Sequence, residues 1–278
     1  MKVKITDTKL ITNFYKILSI VATLLSVYLI FYTIKDEHKS NFFIGFIVAS
    51  AIVYIALWYR YNKLNKIELN IDNSTVIIKE GDIFQQDGLK VIAFNEYFDT
   101  ITDNVIISKN SLNGVFIDRY FSNCSENLNE YISSYPFKNE CIVGTNDTRP
   151  RGNKIKYKLG TICLYDDEFI LTAFTHFDDD NRAYLTMSDY LSFLVNFWDQ
   201  VNIVYALRSV STPVFGSGIT RIKGHTYISD EDLLKIMIWT FKISEMKFKH
   251  PANLTIVVSP DKFKKINLLE IKGTKNGI

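Results

Sequence analysis

Cysteine is scarce in this chain and odd in number. Cys124, Cys141 and Cys163 stand far apart, with no Cys-x-x-Cys pair and no histidine spaced to complete a zinc set. A disulfide framework and a zinc ribbon are thereby excluded, and the three residues read as reduced thiols of a cytosolic compartment. A surplus of one charge is missing too. Lys plus Arg number 32 against 30 Asp plus Glu, a net charge of +2, and no long basic stripe is present. That balance argues against a module built to grip a nucleic-acid backbone, which needs a concentrated basic face. Two phosphate fingerprints are absent as well. There is no GxxxxGK[ST], and Gly216-Ser217-Gly218 lacks the third glycine of a dinucleotide motif because position 221 is Arg.

Charge is lacking altogether from two long runs near the N-terminus, residues 17–34 and 40–59. At 1.5 Å per residue, about twenty residues of helix cross a hydrocarbon layer of about 30 Å. The spacing predicts two membrane helices over about 14–34 and 40–60, a hairpin unit occupying residues 1–62. A cleaved signal peptide fits poorly, since the first run is too long and the KDEHK that follows offers no small-residue cleavage site. Tyr28, Phe31, Tyr32, Trp58, Tyr59 and Tyr61 cluster near the run ends as interfacial aromatics do, with Trp58 read as an anchor. Lys2, Lys4, Lys9 and Lys16 precede the hairpin and Arg60, Lys63 and Lys66 follow it, whereas the connector holds only Lys35 and Lys39 beside Asp36 and Glu37. The expectation is a multi-pass membrane protein with both termini and the remaining domain cytoplasmic. Asn-x-Ser/Thr matches at Asn73, Asn123, Asn146 and Asn253 would matter only in a translocated domain.

From residue 66 to 278 the pattern changes. KIELNI and TVIIK read as a strand pair, and LKVIAF as a continuous apolar strand buried on both faces. Residues 114–132 read as helix, with Phe116, Tyr120 and Phe121 on its apolar side. GTICLY and FILTAF form a hairpin around DDE, and a helix capped by Thr186 or Ser188 carries Leu191, Leu194, Val195 and Trp198 inward. Ser229 or Asp230 caps another, with Leu233, Leu234, Met237 and Phe241 as its stripe. Trp198 and Trp239 both fall at core spacing. LTIVVS is the last clear strand. Strands alternating with helices predict an α/β domain, a three-layer αβα sandwich around a mixed sheet.

Such sheets bind ligands beyond the carboxyl ends of their strands, which selects three junctions. In VIIKEGDIF, Gly81 permits a turn and Asp82 can accept from a ligand N–H. In VIAFNEYFD, a buried strand ends at Asn95, an amide able to donate and accept. In TPVFGSGIT, glycines remove the Cβ atoms that would keep a diphosphate from the backbone N–H groups. A Gly-Asp turn and a glycine pair after a strand each occur often without any ligand. HFDDDNRAY, residues 176–184, sets three carboxylates beside a histidine, which suits either a polar loop or acid–base chemistry if the groups converge on a cleft.

Taken together, VIIKEGDIF, KVIAFN, SLNGVFI and TPVFGSGIT occur in the order and spacing of a macro domain, which the chain resembles from about residue 67 onward. With the two preceding membrane helices, it is similar in architecture to the membrane-bound macro-domain effectors of type II Thoeris antiphage defence. The resemblance implies an ADP-ribose-binding module. Asp82 would hold the adenine amine with Ile83 beside it, and Asn95 would lie near the distal ribose. Residues 112–116 (Leu112, Asn113, Gly114, Val115, Phe116) would line the diphosphate, and Phe215, Gly216, Ser217, Gly218, Ile219 and Thr220 would form the second phosphate loop. Hydrolytic macro domains carry Asn-Ala-Ala-Asn and a triple glycine where this chain has Asn95-Glu96-Tyr97-Phe98 and Ser111-Leu112-Asn113-Gly114, so binding without turnover is expected. The resemblance further implies an ADP-ribose conjugate as ligand, histidine-ADP-ribose made by a TIR-domain partner. Neither a metal nor another cofactor is expected. The effector would then oligomerise or rearrange to disrupt the membrane. A membrane-anchored ADP-ribosyl hydrolase and an adaptor for ADP-ribosylated proteins are the alternatives.

Overall fold

The computed structural model describes residues 3–121, 125–178, 180–218, 220–224 and 228–273. Two long helices come first, α1 (Thr8–Phe31) and α2 (Asp36–Asn62), about 36 Å and 40 Å long at 1.5 Å per residue. Both are long and apolar enough to cross a membrane, and none of their apolar window is buried. Each starts earlier than the apolar runs alone suggest, because polar residues begin the helices. The Asp7 carboxylate caps α1 by accepting from the N–H groups of Lys9 and Leu10. Asp36 and Glu37 occupy the first turn of α2, where carboxylates favour the helix dipole.

The helices touch at their base. Phe14 meets Tyr54 edge-on with centroids 5.1 Å apart, and Asn13 donates to the Tyr61 hydroxyl. The Trp58 ring N–H donates to the Val3 carbonyl at 2.9 Å, so this tryptophan ties the second helix to the segment that precedes the first, as well as standing near a run end. Farther along, Ile20, Leu24, Ile30, Phe43 and Ile52 are exposed.

The rest of the described chain is an αβα sandwich. The antiparallel pair β1 (Lys66–Ile71) and β2 (Ser74–Glu80) leads to β3 (Leu89–Asn95), then α3 (Leu112–Phe121) and α4 (Ser125–Ser134). A small antiparallel pair follows, β4 (Ile142–Thr145) with β5 (Ile155–Tyr157). Next come β6 (Ile162–Tyr165), β7 (Phe169–Phe177), β8 (Ala183–Leu185), α5 (Met187–Val204), β9 (Val210–Pro213) and β10 (Arg221–Ile222). The last elements are α6 (Asp230–Ile243), β11 (Leu254–Val258), α7 (Pro260–Phe263) and α8 (Leu268–Gly273). The main sheet runs β1-β2-β11-β9-β3-β7-β8-β10, with β6 beside β7. Strands β2, β11, β9, β3 and β7 are mutually parallel, flanked by antiparallel neighbours, so the sheet is mixed as the element order predicts.

Side chains alternate between two cores. In β7, Ile170 and Phe174 face α5 and α6, while Phe169, Leu171 and Ala173 face α3 and α4. Helix α5 is closed by a capping box between Thr186 and Asp189, and α6 by one between Ser229 and Asp232. Trp198 is fully buried, but Trp239 is 40% exposed. The stripe of α6 runs through Leu233, Met237 and Phe241, and position 239 lies about 200° around the axis from position 237. The helix predicted over residues 114–132 is described as two, α3 and α4, with Tyr120 exposed and Phe121 buried.

Of the cysteines, Cys141 and Cys163 are free thiols buried in the fold, and Cys124 lies outside the described residues. Burial pushes the Cys163 thiol up to about 12. Since the thiolate is the reactive form, iodoacetamide at about pH 8 should leave the Cys163 peptide unmodified until denaturant is added. Mass spectrometry of the digested protein checks this, and rapid native labelling would contradict the burial.

Candidate functional site

The five parallel strands end on one side of the sheet, and their carboxyl ends open onto a cavity of about 840 Å3. Gly81 follows β2, Asn95 ends β3, Thr175 and Phe177 end β7, Val214 follows β9, and Val258 with Ser259 ends β11; all line it. A volume of that size suits a small-molecule site of several hundred Å3.

Asp82 and Ile83 lie at one end. The Asp82 carboxylate accepts from the Phe84 N–H at 3.0 Å, and Arg119 approaches it at 3.8 Å while stacking on the Phe84 ring. Ile83 is buried. Asp82 is about half exposed, which leaves lone pairs open to a ligand donor.

Asn95 stands in the middle and is 2% exposed. Its Oδ1 accepts from the N–H groups of Tyr97 and Asp99, and its Nδ2 donates to the Asp99 carboxylate at 2.9 Å. Both acceptor sites are therefore used, and one N–H remains. The expectation that Asn95 both donates and accepts is corrected to donation alone. Behind it, Asp99 is fully buried and takes a bidentate Arg149 at 2.9 and 2.6 Å, together with the Asn153 N–H at 2.7 Å. Arg149 also stacks on Tyr97, 4.1 Å from the ring centroid.

The first turn of α3 forms one wall. Leu112, Asn113 and Val115 line the cavity, and the N–H groups of Leu112 and Asn113 have no acceptor within the helix. Gly114 and Phe116 do not line it. Gly114 lies against the Ser108 carbonyl, and the Phe116 ring points into the core among Phe94, Phe121 and Phe169. The helical period explains the Phe116 position, since Phe116 and Ile117 turn into the core while Val115 turns out.

The glycine loop forms the opposite wall. Gly216, Ser217, Gly218 and Thr220 line the cavity, whereas Ile219 lies outside the described residues. Phe215 also borders it, but its ring packs against Phe174, Phe193 and Phe197, and its carbonyl accepts from the Tyr190 hydroxyl. Gly216 has φ +80°, which favours glycine.

Sequence reasoning missed two contributors, and a third falls within HFDDDNRAY, which it had weighed for acid–base chemistry rather than for binding. Residues 104–108, 110 and 111 line the cavity, the start of the segment being held by the Asp103 carboxylate, which accepts from the N–H groups of Val105 and Ile106. Ser259 and Lys262 close the floor beside the glycine loop, with the Lys262 ammonium donating to the Ser217 hydroxyl at 2.8 Å. The rule that ligands gather beyond strand ends points to VVSPDK after β11 as much as to the three junctions chosen. Asp180, Asn181 and Arg182 form the far lip, where Asp180 and Arg182 pair at 3.4 Å.

Of HFDDDNRAY, Asp180, Asn181 and Arg182 reach the cavity, but the histidine does not join them. His176 bonds Glu96 at 2.6 Å and faces Asp189 at 3.9 Å, away from the cavity lining. Burial opposes the charge on Asp189, but the Thr186 hydroxyl and N–H and the His176 ring outweigh it and hold that carboxyl below its usual range. Asp178 folds the loop by accepting from the N–H groups of Asp180 and Arg182. Asp179 lies outside the described residues.

Residues 76–259 match the family model described as Thoeris protein ThsA, Macro domain. The chain is 41% identical over 236 residues to the Thoeris protein ThsA of Bacillus amyloliquefaciens (strain Y2), covering 82% of this chain and 77% of that protein. Among solved structures, the Oceanobacillus iheyensis macrodomain with ADP superposes with a TM-score of 0.50 at 12% identity. That match covers 77% of this chain and 98% of the macrodomain, and it is a likeness of fold.

Proposed function

Because the chain belongs to the Thoeris ThsA macro-domain family, we infer that its cleft binds an ADP-ribose conjugate as a signal and that the two N-terminal helices turn this binding into a membrane effect. One observation carries the reading. The cleft sets a half-exposed carboxylate at one end, first-turn amides and a glycine loop facing each other in the middle, and an acid–base pair at the far lip. Asp82 suits an adenine amine, and the amides and glycine loop suit a diphosphate. The remaining Asn95 N–H suits a ribose hydroxyl. Asp180 and Arg182 offer the complement of a zwitterion, which fits an amino-acid conjugate such as histidine-ADP-ribose from a TIR-domain partner. The Glu96–His176 pair is spent within the fold, which supports binding without turnover over an ADP-ribosyl hydrolase.

In this reading the hairpin lies in the cell membrane with the cleft domain cytoplasmic, and exposed apolar helix faces meet lipid or further copies of the chain. Ligand shifts the packing of these hairpins and the membrane is disrupted during phage infection. The shift requires a higher affinity for the active arrangement.

Calorimetry on the full chain in detergent, with ADP-ribose and its histidine conjugate, tests the reading. Asp82→Ala is expected to weaken binding about ten- to hundredfold, the worth of one hydrogen bond to a charged group. Mass spectrometry of the recovered ligand should return it intact; a released product would favour the hydrolase. If neither nucleotide binds, the cleft is not an ADP-ribose site.

A further inference from the structure

The cleft and the hairpin share one stretch of chain. Beyond β11 the backbone passes Ser259 and Lys262 in the cavity floor and reaches α8 within a few residues. The charges at the two lips are each paired, Asp82 with Arg119 and Asp180 with Arg182. Lys262 makes no ion pair with a carboxylate among the described residues, and its ammonium rests on the neutral hydroxyl of Ser217 in the glycine loop. An ammonium held that way, on the glycine loop and inside the cavity, is the complement of a diphosphate.

Asn267 lies five residues farther on and is bonded at each of its polar groups. Its N–H donates to Glu231 of α6 at 2.9 Å, and its Oδ1 accepts from the Leu269 N–H at 3.0 Å. Its Nδ2 donates to the Asp7 carboxylate at 2.6 Å. Asp7 is the cap of α1. One of its oxygens holds the Lys9 and Leu10 N–H groups, and the other holds Asn267.

Lys9 pairs with Glu270 at 2.9 Å and donates to its carbonyl at 3.1 Å. Helix α8 is a wedge. Leu268 and Ile271 face the domain core, and Leu269 packs with Val3 and Leu10 at the hairpin base.

We propose that Lys262 is a diphosphate-binding residue and that the segment from Ser259 to Gly273 carries cleft occupancy to the first membrane helix through the Asn267–Asp7 bond. This rests on the reading of the cleft as a nucleotide site. A diphosphate competes with Ser217 for the ammonium, which supplies the difference in affinity that a shift in arrangement needs. Movement of α7 has few ways to dissipate, because Phe263 and Ile266 are buried and Asn267 is held between α6 and α1. Both elements of such a coupling are bonded contacts that variants can cut separately.

The test uses the full chain in nanodiscs of phosphatidylethanolamine and phosphatidylglycerol, with ADP-ribose as probe. Calorimetry gives the affinity, and hydrogen exchange of peptides covering residues 3–13 and 54–62 gives the response at the hairpin base. Wild type should bind and change its exchange there. Lys262→Met should weaken binding about tenfold or more and flatten its salt dependence. Asn267→Ala should bind within about twofold of wild type yet lose the exchange response, since the lost bond lies outside the cleft. Asp7→Ser keeps a cap for α1 while removing the partner of Asn267, and should behave like Asn267→Ala if that variant folds poorly.

Wild-type affinity in Lys262→Met overturns the first part. A wild-type exchange response in both Asn267→Ala and Asp7→Ser overturns the second, as does binding by wild type with no response at the base. Failure of wild type to bind ADP-ribose, and then its histidine conjugate used as probe in its place, overturns the nucleotide reading itself, and is recognised before any variant is measured.

Discussion

Asp99→Ala is expected to lower the melting temperature by about 6–20 °C, the equivalent of about 3–5 kcal/mol in a domain of this size. Asp99 is fully buried, and its carboxylate is the counter-charge of Arg149, whose side chain is 7% exposed. Removing it strands a guanidinium that keeps the Asn153 carbonyl, the Asn181 amide oxygen and the Tyr97 and Phe177 faces as partners, none of them an anion. The cost is the penalty of an orphaned charge rather than the net worth of the pair. Asp99→Leu combined with Arg149→Met should therefore recover part of the loss.

The same substitution removes the carboxylate partner of the Asn95 Nδ2, while the backbone N–H of position 99 still reaches Oδ1, so the amide loses half of its anchoring and ADP-ribose affinity should fall along with stability. Differential scanning calorimetry and a binding titration on one sample read both. A melting shift under about 2 °C would mean that the guanidinium finds water, contrary to its burial.

That pair also marks where sequence reasoning stops. The hairpin, the strand ends and the helix caps were legible because each is written in neighbouring residues. Charge-free runs stand at 17–34 and 40–59, and Thr186 and Ser229 each precede their Asp by three positions. Arg149 sits in TNDTRPRGNK, where nothing local distinguishes it, and its partner is fifty residues away. Asn95 looked free to donate and accept because the turn that consumes its oxygen forms only when Tyr97 and Asp99 fold back. Phe116, rightly read on the apolar side of its helix, was carried to the diphosphate by the resemblance alone, and Trp239 was misassigned for a simpler reason. An apolar residue at helical spacing has two candidate faces, and only the packed partner decides which turns inward. Lys262 was overlooked because one lysine after a strand carries no signal until the glycine loop is brought against it.

Gly114→Val and Gly218→Val should separate what glycine does for the fold from what it does for the ligand. A Cβ on Gly114 would lie 3.0 Å from the Ser108 carbonyl carbon and 3.1 Å from the Lys109 Cα, both backbone atoms that no rotamer change can move. The first turn of α3 would have to back away from the cavity. Destabilisation of about 1–3 kcal/mol is expected from the overpacking. Displacing the Leu112 and Asn113 amides from a bound diphosphate should also cost at least about a hundredfold in affinity, since each such bond is worth about 1.5–3 kcal/mol.

Gly218 is the opposite case. A Cβ there meets nothing within 4 Å among the described residues, and its φ is not in the region that requires glycine, so the described fold has no use for the missing side chain. Gly218→Val should melt within about 0.5 kcal/mol of wild type, as surface substitutions do. Its two methyl groups would nevertheless occupy the space through which a diphosphate reaches the loop N–H groups, and ADP-ribose affinity should fall about ten- to hundredfold. Unchanged affinity in Gly218→Val would remove residues 216–220 from the diphosphate site and leave α3 and Lys262 to hold it.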